Sequence, residues 1–114
     1  MPRSPITTHV LDTAKGCPAA NISVLLEMQV GGQWKEIGRG STDKDGRVSD
    51  LLPEGSLQRG IFRITFDTSG YFGTNGTSGF YPYVPVIFEI QSTDQHYHVP
   101  LLLSPFGYST YRGS

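Results

Sequence analysis

From Asn21 to Val30 apolar and polar positions alternate: Ile22, Val24, Leu26, Met28 and Val30 fall on one side, Ser23, Glu27 and Gln29 on the other. A period of two belongs to a strand with one buried face. Gly31-Gly32 follows, a dipeptide that accepts positive φ at both central positions of a tight turn, and Trp34 to Thr42 supplies a return strand. Asp43-Lys44-Asp45-Gly46 and Pro53-Glu54-Gly55 mark further turns. From Gly60 to Thr68 the alternation returns, with Phe62, Ile64 and Phe66 opposite Arg63, Thr65 and Asp67. Two later segments are apolar on both sides. In Phe80 to Ile90, Val84, Val86, Phe88 and Ile90 oppose Tyr81, Tyr83 and Ile87. In His96 to Leu103, Tyr97, Val99, Leu101 and Leu103 oppose His96, His98, Pro100 and Leu102. A strand with two faces to bury is expected to meet another subunit. Pro82 and Pro85 each lack a ladder donor, so the first of these strands is expected at an edge or a bulge.

Short strands at regular spacing, punctuated by 14 Gly and 8 Pro, predict an all-β sandwich. No segment carries an apolar stripe of period 3.6. The best place for one short helix is Ser69 to Gly76, whose glycines weaken it. The 114 residues form one domain, 1–114, without repeat or linker. A chain of this size can bury roughly two-thirds of its unfolded surface, enough to fold without staples.

Charge and cysteine content narrow the function. Nine basic and ten acidic side chains, with a formal net charge of -1 and no long run of either sign, leave no footprint for nucleic acid. Apolar runs are too short for a membrane span, and Met1 to His9 lacks the apolar stretch of a secretory signal. The expected place is the cytoplasm. Arg112-Gly113-Ser114 is not the S-K-L type of peroxisomal address, although other routes into peroxisomes stay open. The single Cys17 excludes an internal disulfide, and no helix start or cation identified near it would activate it as a nucleophile.

Candidate chemistry begins with the three histidines. His96 and His98, two apart on a strand, leave the same face, as a metal clamp would require, and His9 is available as a third ligand. No H-E-x-x-H motif accompanies them, so histidines satisfied by the fold or facing solvent stand as the other reading. Arg47, just after the Asp-Gly turn, is either a solvated loop residue or a clamp for an anion or oxyanion. The aromatic tail from Tyr108 argues against a frayed end. These features name no reaction.

Two longer stretches do. His9-Val10-Leu11-Asp12, followed by Gly16-Cys17-Pro18-Ala19 and Ile22-x-Val24, resembles the N-terminal signature of the transthyretin family. Tyr97-His98-Val99-Pro100-Leu101-Leu102-Leu103-Ser104-Pro105-Phe106-Gly107-Tyr108-Ser109-Thr110 resembles its C-terminal signature, and Tyr111-Arg112-Gly113-Ser114 matches the tetrapeptide that marks the hydrolase branch. The resemblance implies a transthyretin-type sandwich of two four-stranded sheets, assembled as a homotetramer with active sites at subunit interfaces in a central channel. It implies hydrolysis of 5-hydroxyisourate to 2-oxo-4-hydroxy-4-carboxy-5-ureidoimidazoline in urate breakdown, with neither cofactor nor metal. The catalytic positions it implies are His9, Arg47, His98 and Ser114, with His9, Arg47 and Tyr111 binding substrate. His98 or His9 would activate water, Arg47 would hold a carbonyl or oxyanion, Tyr111 would donate to the heterocycle, and the Ser114 hydroxyl and terminal carboxylate would orient a histidine. His96 is left to support the rim. The rival expectation is a carrier of a small apolar ligand, for which so many polar groups are a poor lining.

Overall fold

A computed structural model describes residues 4–114; Met1 to Arg3, the start of the stretch read for a leader, lie outside the described residues. Its strands are β1 (Ile6–Asp12), β2 (Cys17–Pro18), β3 (Ser23–Val30), β4 (Gln33–Ser41), β5 (Arg47–Val48), β6 (Gly60–Phe66), β7 (Val84–Ile90), β8 (Tyr97–Ser104) and β9 (Gly107–Thr110), with one helix, α1 (Thr68–Thr74). One sheet has the order β4-β3-β6-β7; the other runs β2-β1-β8-β9, and β5 also pairs with β1. The expected two-sheet sandwich with one short helix is therefore observed. The second sheet exceeds four strands because the two-residue β2 and β5 both pair with β1.

Each sheet presents its alternating apolar face to a common core. Ile22, Val24 and Leu26 meet Phe62, Ile64 and Phe66 there, and Val10, Leu101 and Leu103 come from the opposite sheet. Gly31 and Gly32 take φ of 58° and 78° in the β3–β4 turn. The strand expected from Phe80 begins only at Val84, because Pro82 cannot extend the ladder. As expected, β7 is an edge strand, and Pro85 is accommodated there. The glycine-rich segment does form its helix. Asp67 accepts a hydrogen bond from the Gly70 amide at the N-cap, and buried Tyr71 and Phe72 anchor the inner side. Tertiary burial thus outweighs poor propensity. The tail beyond Leu103 adds a strand not expected from the pattern, β9, paired antiparallel with β8. Among the described residues, no helix is long and apolar enough to cross a membrane.

Candidate active site

The parallel pairing of β1 with β8 brings together residues some ninety positions apart: Thr7 lies opposite His98, and His9 opposite Pro100. Since Ile6, Thr8 and Val10 are buried in the core, Thr7 and His9 occupy the outward face, the one also bearing His98. The His9 and His98 rings stand 6.5 Å apart between centroids, tilted by 31°, too far for a direct hydrogen bond. His9 is also the cross-strand neighbour of Arg47.

Arg47 is delivered by the Asp43–Gly46 turn. The Asp43 carboxylate accepts from the Asp45 and Arg47 amides at 2.8 and 3.0 Å, and these bonds, the Arg47 one first, hold its carboxyl below the ordinary range. Gly46 has φ of 76°, and its carbonyl accepts from the Val10 amide at 2.7 Å. A Cβ there would lie 2.4 Å from the Val10 carbonyl oxygen, so only glycine lets the turn close onto β1.

The tail arrives from the other side. The Thr110 hydroxyl donates to the Pro100 carbonyl at 2.7 Å, and Arg112 lies over the Tyr97 ring at 4.5 Å while donating to Gln95. The Gly113 amide donates to the His98 carbonyl at 2.8 Å. A Cβ on Gly113 would stand 2.6 Å from His98 Cδ2 and 3.2 Å from Pro100 Cγ, so the tail backbone lies against the imidazole. A cleft of about 160 Å³ results, lined by Thr7, Thr8, Arg47, Val48, Ser49, His98 and Ser114.

Of the residues singled out in the sequence, Arg47, His98 and Ser114 share this cleft and His9 borders it through Arg47 and His98. Tyr111 does not join them within one chain. It is exposed and lines another cleft, of about 340 Å³, with Val86, Phe88, Tyr97 and Arg112. His96, read as rim support, stands next to the site, with Nε2 2.9 Å from the Thr7 hydroxyl. That hydroxyl is also 2.8 Å from His98 Nδ1. Nothing in the sequence singled out Thr7, an ordinary strand residue until β1 and β8 are paired. Cys17 is exposed on β2. Among the described residues, no three His, Cys, Asp or Glu side chains converge as a metal-binding set.

Comparison with known proteins matches residues 6–113 to the HIUase/Transthyretin family. A 5-hydroxyisourate hydrolase of Salmonella dublin is 45% identical over 109 residues, covering 96% of this chain and 80% of that protein. The 5-hydroxyisourate hydrolase of Mus musculus is 46% identical over 113 residues, covering 97% and 96%. The crystal structure of sea bream transthyretin in complex with thyroxine superposes with a TM-score of 0.92 at 32% identity, covering 96% of this chain and 95% of that one.

Proposed function

The chain belongs to the HIUase/transthyretin family, and on that premise we infer that it hydrolyses 5-hydroxyisourate in the degradation of urate. The observation that carries the reading is the meeting of His98, Arg47 and Ser114 in one polar cleft with His9 beside it. Ring opening at a lactam carbonyl needs a base for water, donors for the oxyanion and an acid for the departing nitrogen. We assign His98 as the base. Water adds to the carbonyl carbon as its proton passes to the imidazole, and the Arg47 guanidinium holds the resulting oxyanion. The carbon–nitrogen bond then breaks, and the ring nitrogen takes a proton as it leaves, giving the ureidoimidazoline carboxylate. His98 returns that proton, and His9 orients the substrate. The Ser114 hydroxyl orients the histidines.

Tyr111, outside the cleft of its own chain, is assigned to substrate contact in a pocket completed by a neighbouring copy of a homotetramer. The exposed free thiol of Cys17 suits a reducing compartment, and we place the enzyme in the cytoplasm. The test is to generate 5-hydroxyisourate in situ with urate oxidase and follow its ultraviolet decay. His9→Ala, Arg47→Ala and His98→Ala are each expected to lower kcat at least about a hundredfold with the fold intact. Wild-type protein that does not outpace spontaneous decay would instead favour the carrier reading.

A further inference from the structure

The Thr7 side chain is buried at 6% exposure, between the half-buried rings of His96 and His98. Its Oγ1 lies 2.9 Å from His96 Nε2 and 2.8 Å from His98 Nδ1, so a single hydroxyl bridges two imidazoles on one face of β8. A hydroxyl has one proton to donate and lone pairs with which to accept. With both rings neutral and both contacts hydrogen-bonded by donation and acceptance through that hydroxyl, one ring donates N–H to Oγ1 and the other accepts Oγ1–H. The chain therefore has two polarities, and they differ in what they do to His98. If Nδ1 of His98 accepts, its proton resides on Nε2 and the ring has no lone pair to offer water. If Nδ1–H donates to Thr7, the Thr7 hydroxyl donates onward to His96 Nε2, and His98 Nε2 carries the lone pair.

We propose that Thr7 and His96 are positioning residues that hold His98 in the Nδ1–H tautomer, with His96 Nε2 accepting from the Thr7 hydroxyl. The proposal rests on the reading of His98 as the base of the hydrolysis. It gives His96 a role through Thr7 and without substrate contact. When His98 Nε2 takes the proton of the attacking water, Nδ1–H keeps its acceptor, so the ring becomes imidazolium without turning or exchanging partners. The proton is returned from Nε2 to the departing nitrogen, and none leaves through Thr7.

The experiment combines side-chain nitrogen NMR of the intact protein with kinetics. In wild-type protein at a pH where His98 is neutral, its proton is expected on Nδ1. Thr7→Val keeps the branched shape and removes the hydroxyl, and His96→Phe keeps a ring without nitrogen. Both are expected to move the His98 proton toward Nε2 and to lower kcat about tenfold to a hundredfold with KM nearly unchanged. Thr7→Ser and His96→Gln, which restore a hydroxyl and an acceptor, are expected to recover most of the loss. A wild-type His98 protonated on Nε2, or full kcat in folded Thr7→Val, would overturn the proposal. His98→Ala separates it from the reading beneath it: an active His98→Ala removes His98 as the base, whereas an inactive one beside a fully active Thr7→Val removes only the Thr7–His96 chain.

Discussion

Gly113 shows how closely the tail is fitted to His98. Its absent side chain lets the tail backbone lie on His98, where even a methyl group would fall 2.6 Å from Cδ2. Gly113→Ala must therefore push either the tail or the imidazole aside. Because the contact lies on the outer face, away from the core, the thermal midpoint should change little. With His98 as the proposed base, turnover should fall about tenfold or more, since a base needs hydrogen-bond reach of its proton. Steady-state assay beside a melting curve checks this, and unaltered kcat would mean that the imidazole tolerates displacement. The spacing of His96 and His98 was legible in the sequence as one face of one strand. Thr7 and the contact made by Gly113 were not, because both depend on β1 and the tail flanking β8, and side-chain periodicity carries no information about which strands are neighbours.

At the scale of elements, α1 illustrates a local signal overruled by a distant one. Its two glycines speak against a helix, yet the Tyr71 hydroxyl donates to Asp12 Oδ2 at 2.7 Å, tying the helix to the end of β1. Asp12 is buried and also accepts from the Ala14 and Lys15 amides through Oδ1. The family signature contains Asp12, but its partner on α1 could not be read from it. Tyr71→Phe leaves the Asp12 carboxylate short of one donor, and a loss of about 1–3 kcal/mol in unfolding free energy is expected at neutral pH. Burial first, then the Asp12 carboxylate, raises the Tyr71 hydroxyl above its ordinary value of 10.0. A group raised in the folded state stabilises fully below its unfolded value, and that stabilisation drains as pH climbs toward the folded one. Denaturant melts of wild type and Tyr71→Phe should therefore converge above about pH 10. A gap constant up to pH 11 would show that the hydroxyl is not held protonated by the fold.

At the scale of the whole molecule, both sheets end in strands whose outer side is unpaired among the described residues, β7 in one and β9 in the other. Open edges are templates for pairing, and proteins that remain monomeric commonly blunt them with charge. Here aromatic and aliphatic side chains outnumber the one exposed charge on β7, Glu89: Ile87 on β7 and Tyr83 just before it are 60% and 59% exposed, and Phe106, in the β8–β9 turn, is 75% exposed. The Phe80 amide donates to the Pro105 carbonyl at 2.7 Å and the Tyr81 ring meets Tyr108 edge-on at 5.1 Å, so the apolar surface continues from one sheet to the other. The two-sided pattern of Phe80 to Ile90 announced such a surface and Pro82 and Pro85 an edge or a bulge, while the order β4-β3-β6-β7 came only from the fold. This geometry favours association of copies through the β7 side, and the proposed tetramer is its testable form. Ile87→Asp places a charge in that surface without touching the core, so the isolated chain should keep its strand content. Light scattering is expected to give a tetramer mass for wild type and a smaller species for Ile87→Asp. If a neighbouring copy supplies Tyr111 to the site, KM should rise as assembly is lost, and raising the protein concentration should restore both together. An Ile87→Asp protein that is monomeric at every concentration yet retains wild-type kcat and KM would show that one chain holds the complete site.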